Sequence, residues 1–597
     1  MKKIRIIDSK KLLIAVFVLL AIGLFSFLCI HFLPGNNTNT DPTTDTQNEL
    51  QLPDLLGTAK AIKGNLISAL QDLKESNWVS ARTKLEATQK DIAAVRTLIE
   101  KIPFLMNLVP QAKSISELLN AADMAIPDIL LPAIDLLEAY PISELSVGEG
   151  FDMKLLGKYI DFAESVMPKL ESLMEATDSV DFSIVDSEGK ITESLETAKE
   201  LLGIYRGNPE ILSMLKTMLG AEEDRRYLIA VQNPSEIRAS GGFPGFMGML
   251  RIEDGVLTMG EFSSVTGFLT TWLPKNVQIT QEEIELFSYL SGIQTPRDAD
   301  LCPDFERVGL IWGSSYEERH KESIAGVISM TPHIVQRLLK VTNEVIELSD
   351  GLVLNGDNAT KVLIHDIYFK YFNRQQYYPD RLQVSDQLFA EAAQKTMEKL
   401  TNNLSVERLL QYLPVMKNSI EDRTLMLWMK DEKEQAFVVD MGWSGGLNKD
   451  PQNPEAGIYV NVISASKMGW FLLMDTEIGE GTENADGSYT YPITVTLTNN
   501  ITEEEINQAA YYISGGLGGA MRGVAYFFAP AGGRVDNFSA NIGRRITHKT
   551  YNGMILGFTG PFAIKPNEQI TVTYTVTTAP GVDTPLMISK TPTAQQS

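Results

Sequence analysis

Apolar positions recur along this chain in two periods, and the change between them falls at Arg226. Between Leu52 and Leu219 the period is helical. Trp78, Ala81, Leu85, Thr88, Ile92, Val95 and Ile99 advance by alternating steps of three and four, which makes a heptad seam. An earlier stripe runs through Leu52, Leu55, Leu56, Ala59, Ile62, Leu66, Leu70 and Leu73. A later one runs through Leu155, Leu156, Tyr159, Ile160, Ala163, Met167 and Leu170. Pro103, Pro127, Pro132, Pro141 and Pro168 bound or interrupt these stretches. The pattern predicts an α-helical bundle over 52–220. Its stripes either form its own core or offer a surface to a partner helix.

From Arg226 the signals alternate. Tyr227–Gln232 reads as a strand, Asn233-Pro234-Ser235 as a turn, and Phe246–Ile252 as the next strand, with Asp254-Gly255 turning it into Val256-Leu257-Thr258. Thr280-x-x-Glu283 and Ser315-x-x-Glu318 both match the reciprocal capping pattern of a helix start. Ile324–Met330 reads as a strand, and Thr331-Pro332 opens a helix through Leu339. Val345-Ile346 and Leu352-Val353-Leu354 flank an Asp350-Gly351 turn, and helices follow over Asp357–Phe372 and Val384–Leu400. Such alternation predicts an α/β layered core over 221–470. Beyond it, Tyr491, Ile493, Val495 and Leu497 alternate with threonines, as do Ile570, Val572, Tyr574 and Val576. These predict half-buried strands of a C-terminal antiparallel β-sandwich over 471–585. Residues 586–597 read as a tail, frayed from Thr591 onward.

The N-terminus adds an address. Lys2, Lys3, Arg5, Lys10 and Lys11 precede an apolar run from Leu12 to Leu33, long enough as a helix to cross roughly 30 Å of hydrocarbon. The run ends in Phe32-Leu33-Pro34-Gly35 without a small-residue cleavage site, so 1–34 reads as an uncleaved transmembrane anchor. The flanking cations place the tip in the cytoplasm and the bulk of the chain outside. Gly35–Glu49 is polar throughout, and 35–51 is assigned as a flexible stalk. Asn36-Asn37-Thr38 within it is formally a glycosylation acceptor.

Charge and cysteine count narrow the classes. A net charge of −24 argues against nucleic acid as a partner, since phosphate binding needs a basic face. Of two cysteines, Cys29 lies in the anchor, so Cys302 has no partner in the external part. Five histidines give no H-x-x-x-H pair, and no metal set or cofactor is assigned.

The best candidate for ligand chemistry is Arg238-Ala239-Ser240-Gly241-Gly242-Phe243. Paired glycines let backbone approach a ligand and point amides at an anion. Arg238 would add a bidentate contact, with Asn233 and Ser240 as neutral donors. The structural alternative is a tight turn in which Arg238 pairs with Glu236 or Asp254. Asp380-Arg381, with Asp386 at a helix start, is a second cluster, either a contact to an anionic or metal-bound ligand or a solvated helix start. Gly515-Gly516-Leu517-Gly518-Gly519 lies among Tyr511, Tyr512, Tyr526, Phe527 and Phe528 and reads as a flexible or bulged hairpin. The acidic stretch Asp475–Asp486 lacks the EF-hand spacing and reads as a solvated loop. No catalytic residue is assigned.

Arg225–Gly260 resembles the core motif of a bacterial family known as a domain of unknown function, DUF4012. The resemblance rests on Arg225-Arg226-Tyr227-Leu228, Gln232-Asn233, Glu236-Ile237-Arg238-Ala239-Ser240-Gly241-Gly242-Phe243 and Glu253-Asp254-Gly255. Looser matches extend it over about Glu222–Trp470. It implies a single-pass envelope protein. Ile324–Phe389 is also similar, more distantly, to the LytR-CpsA-Psr transferases, which attach polyprenyl-pyrophosphate-linked glycopolymers to peptidoglycan. Asp380-Arg381 would stand where that family holds phosphate ligands. Its arginine-rich Y-x-R-x-R motif has no match here, because Tyr368-Phe369-Lys370-Tyr371-Phe372-Asn373-Arg374 occupies the place. Two functions follow. One is a non-catalytic extracytoplasmic module binding wall or capsule polymer or an envelope protein. The alternative is a glycopolymer phosphotransferase, which alone would call for Mg²⁺.

Overall fold

The strand Arg225–Asn233, apolar from Tyr227 to Val231, stands inside the largest sheet with both faces covered. The computed structural model describes residues 77–101, 112–147, 150–177, 205–401 and 406–595, with isolated positions at 62–72 and 199–203. The sheet order is Ser146–Val147, Gly150–Asp152, Val256–Met259, Phe243–Glu253, Arg225–Asn233, Gly326–Met330, Leu425–Met429. Arg225–Asn233 is antiparallel to Phe243–Glu253 and parallel to Gly326–Met330. The helix Phe305–His320 lies in the crossover to that parallel neighbour. Asp254 and Gly255 take φ of 52° and 82° in the hairpin turn read from their sequence.

Period-two alternation sorts the side chains. Tyr227 clusters with the helices Met153–Thr177 and Ile211–Met218, while Leu228 and Ala230 cluster with Phe305–His320. Gly309 and Gly313 bring that helix against Trp428, since a Cβ at either would stand 2.3 or 2.6 Å from that side chain. The predicted heptad seam is buried at Ala81, Leu85, Thr88, Ile92 and Val95.

Two more sheets complete the layers. The middle one runs Thr547–Tyr551, Met554–Phe558, Met521–Phe528, Glu455–Val462, Met587–Lys590. The outer one runs Leu472–Ile478, Tyr489–Asn499, Gln569–Thr577, Arg534–Ala540. The two threonine-alternating segments pair directly, Val495 opposite Val572 and Leu497 opposite Ile570, with these apolar residues turned inward.

The structure corrects the expected fold. The β half is not a separate C-terminal antiparallel sandwich. Its middle sheet buries Ile458, Val460 and Phe527 against the outer sheet. On its other face Tyr459, Tyr526 and Phe528 join the core of the α/β layer. It also contains a parallel pair, Glu455–Val462 with Met587–Lys590. The helical region is not a free-standing bundle either, because its hairpin Ser146–Asp152 adds to the largest sheet through Val256–Met259. No helix among the described residues is long and apolar enough to cross a membrane. The anchor over 1–34, the stalk and the residues from Leu52 to Ala61 lie outside the described residues.

The C-terminus is also corrected. Thr591 and Ala594 are buried, with Thr591 Oγ1 donating to the Ala239 carbonyl at 3.0 Å and His333 Nε2 at 3.1 Å from the Ala594 carbonyl. Thr280 and Glu283 form the expected capping box. Ser315 instead lies inside Phe305–His320, where its hydroxyl accepts from the Thr270 amide at 2.7 Å.

Candidate functional site

The glycine turn is held from inside. Asn233 Oδ1 accepts from the Ser235 amide at 2.9 Å, capping the short turn Pro234–Glu236. Arg238, 3 % exposed, then enters the interior. Its guanidinium lies 3.5 Å from Asp298 and 3.9 Å from Asp300, and donates to the Val462 carbonyl at 3.2 Å. Glu236 and Asp254, the partners expected from sequence, are not the ones it uses. Burial pushes the Asp300 carboxyl well above the usual carboxylate range, with Arg238 opposing and Asp298 adding to the shift. Both aspartates sit on the turn Pro296–Leu301, where D-x-D spacing in a buried segment called for a cation.

The neighbours of Arg238 are equally committed. The Ala239 amide donates to Asn461 Oδ1 at 2.7 Å, and the Ser240 amide and hydroxyl to the Asp300 carbonyl at 3.2 and 3.3 Å. The Gly241 amide donates to the Arg238 carbonyl at 2.9 Å. Gly241 takes φ of 133°, and a Cβ there would stand 2.4 Å from Gln232 Oε1. At Gly242 it would stand 2.3 Å from the Asn233 carbonyl oxygen. Close approach to the preceding strand is what these two positions require of glycine.

Glu236 faces the other way and ion-pairs with Lys467. Burial disfavours the Lys467 ammonium, but Glu236 together with Tyr368 and Tyr512 outweighs that and raises its pKa above the ordinary lysine value. Lys467 Nζ lies 4.5 Å from the Tyr368 ring centre and 5.1 Å from that of Tyr512. Asn233 Nδ2 donates to the Tyr368 hydroxyl at 2.8 Å. Tyr512 stacks on Phe372, ring centres 4.3 Å apart and planes 17° apart.

Arg381 lies over Phe372 and a further ring, its guanidinium carbon 5.3 Å from Phe372 and 5.4 Å from Tyr377. The two segments are sewn together by backbone. Arg374 donates to the Gln508 carbonyl at 2.8 Å, and Ala510 to the Phe372 carbonyl at 3.2 Å. Outward, Tyr377 and Tyr511 are 73 % and 74 % exposed, and Tyr512 is 39 % exposed. Among the described residues Arg381 has no carboxylate in ion-pair contact. Asp380 is exposed beside it, at the start of the helix Arg381–Thr401. The Gly515–Gly519 run is not a hairpin between strands. It links the helical turn Tyr511–Ser514 to Met521–Phe528, and Gly516 lets the Tyr511 ring lie close on the loop, where a Cβ would stand 2.7 Å from it.

The candidate residues therefore divide. Asn233, Asp380 and Arg381 belong to the aromatic face or touch its base, whereas Arg238, Ser240, Gly241 and Gly242 brace the interior. Sequence reasoning passed over Glu236 with Lys467, and over Tyr368, Phe372 and Tyr377. The signal available was the pair of doublets Tyr377-Tyr378 and Tyr511-Tyr512, the second beside a glycine run. Among the described residues no three His, Cys, Asp or Glu side chains are grouped to hold a metal ion.

No curated protein and no solved structure matches the chain. Residues 222–368, which hold the central strands, the glycine turn and Tyr368, match the model of the family described as Protein of unknown function (DUF4012).

Proposed function

We propose that this chain is a membrane-tethered, extracytoplasmic cell-envelope module that binds a wall or capsule polymer, or an envelope protein, through the face formed by Tyr377, Arg381, Tyr511 and Tyr512. One observation carries the binding part: Arg381, without an acidic partner among the described residues, lies between exposed Tyr377 and Phe372, on which exposed Tyr512 stacks, with exposed Tyr511 next to Tyr512 in the chain. Exposed rings offer flat apolar area to the C–H faces of sugars or to a protein, and the guanidinium adds a directed anion contact. The buried Glu236–Lys467 pair supports that face from beneath. The address rests on the cations before Leu12 and the apolar run to Leu33. Less supports the phosphotransferase alternative. Arg238 is neutralised in the interior, and Lys370 is held by Asp350 at 2.9 Å, so cations that a pyrophosphate would need are already occupied.

The address has a low-background test. Cys302 is fully buried, and Cys29 lies in the apolar run. Lys565→Cys places a thiol where the parent side chain is 73 % exposed. A membrane-impermeant maleimide should label that variant on intact cells. Labelling only after lysis refutes the extracytoplasmic placement.

A further inference from the structure

Away from the tyrosine face, the loops around the short helix Val265–Phe268 and the turn Pro296–Leu301 enclose an open cleft of ≈ 450 Å³. That lies within the roughly 300–1,000 Å³ of small-ligand clefts. Its walls include Thr266, Thr271, Trp272, Ser291, Thr295 and Arg297. Trp272 is 74 % exposed, yet its backbone is fixed: Thr270 Oγ1 donates to the Trp272 carbonyl at 2.6 Å and also contacts Ser315 Oγ at 2.7 Å. An exposed indole on a braced loop, in a cleft also lined by hydroxyl side chains, has the composition of a sugar subsite: a flat apolar face together with short donors and acceptors.

Arg297 sets the charge of the ligand. Its Nη2 donates to Ser291 Oγ at 3.4 Å, and its Nε lies 3.6 Å from one oxygen of Asp298. The other oxygen of Asp298 faces buried Arg238 at 3.5 Å. One carboxylate is thus shared between two guanidiniums. Asp298 is buried between them, and of the two guanidiniums Arg297, 46 % exposed, is the one on the cleft side. Arg238 acts here as a positioning residue through Asp298.

We infer that this cleft binds a sugar unit bearing a carboxylate, with the indole of Trp272 against the ring and Arg297 on the carboxylate. The inference rests on the binding-module reading and gives its polymer a chemical class. The test uses the full chain in detergent, titrated with glucuronic acid and with glucose at low ionic strength, read by tryptophan fluorescence and calorimetry. Saturable binding is expected, tighter for glucuronic acid. Arg297→Gln should weaken glucuronic acid about tenfold or more and leave glucose unchanged, and Trp272→Ala should abolish both. Both side chains are exposed, so melting temperatures should stay at the parent value. Equal affinity for the two sugars in the parent, or parent-like binding by both variants, overturns the assignment. If both variants still retain an acidic envelope glycan as the parent does, the cleft assignment falls while the module reading stands. If the parent retains none, the polymer reading itself falls.

Discussion

Lys467 is the most informative side chain to remove. Its ammonium is 6 % exposed and held by Glu236, itself 16 % exposed, and it touches the rings of Tyr368 and Tyr512. Lys467→Met leaves a partly buried carboxylate without a counter-charge, and Glu236→Gln leaves a buried ammonium without one. Breaking a buried pair from one side costs about 3–5 kcal/mol, whereas replacing both members is far milder. The ring contacts add about 0.5–2 kcal/mol that only the lysine substitution removes. Each single variant should therefore lose about 3–5 kcal/mol, Lys467→Met the more. The double variant should fall well short of the sum, with a coupling of about 2 kcal/mol or more. Urea unfolding of the parent, both single variants and the double variant measures the cycle. Additivity within about 0.5 kcal/mol would refute the claim that the two groups compensate each other.

Other substitutions separate conformational from packing requirements. Gly242→Ala places a Cβ 2.3 Å from the Asn233 carbonyl, backbone that cannot move aside, and should cost about 3 kcal/mol in thermal unfolding. Gly518→Ala meets no atom within 4 Å but takes φ of 59°, so only about 1 kcal/mol is expected; equal losses at the two sites would contradict this. Burial pushes His333 down to about 4, with Asp422 opposing, Arg337 reinforcing and the Ala594 carbonyl opposing. Because that value lies below the unfolded value near 6.5, the stability it contributes is complete above about pH 6.5 and is lost as pH falls toward about 4. The stability gap between the parent and His333→Asn should shrink by roughly 3 kcal/mol between about pH 7 and pH 4. A gap independent of pH would rule out this histidine as the source.

Local signals in the sequence were legible, and long-range ones were not. The Asp254-Gly255 turn, the Thr280–Glu283 box and the Tyr489–Asn499 and Gln569–Thr577 strands each depend on residues a few positions apart. Ser315-x-x-Glu318 satisfied the same capping pattern, but it falls within a helix already under way, and the hydroxyl is taken by the Thr270 amide. Thr591 looked frayed because nothing nearby in sequence announces its contacts. Its hydroxyl reaches Ala239, and the preceding strand pairs with Glu455–Val462. The same distance hid the charges. Arg238 passes over Glu236 and finds Asp298 and Asp300, while Glu236 finds Lys467. Arg238 and Gly241-Gly242 stood out in sequence as an arginine beside paired glycines, a local pattern, although the structure uses them for interior contacts. The aromatic face around Arg381 is assembled from two separate segments and had no single motif to mark it.

The most direct test of the binding claim is equilibrium retention of the full chain, in detergent, on purified wall and capsule polymer, comparing the parent with Tyr377→Ala/Tyr511→Ala and with Arg381→Ala. Tyr377 and Tyr511 are exposed, and Arg381 is half-buried with its guanidinium over Phe372 and Tyr377, so melting temperatures should fall little in either variant. Saturable retention by the parent, weakened at least tenfold in both variants, is the predicted result. Retention by the variants equal to that of the parent would contradict the role given to this face.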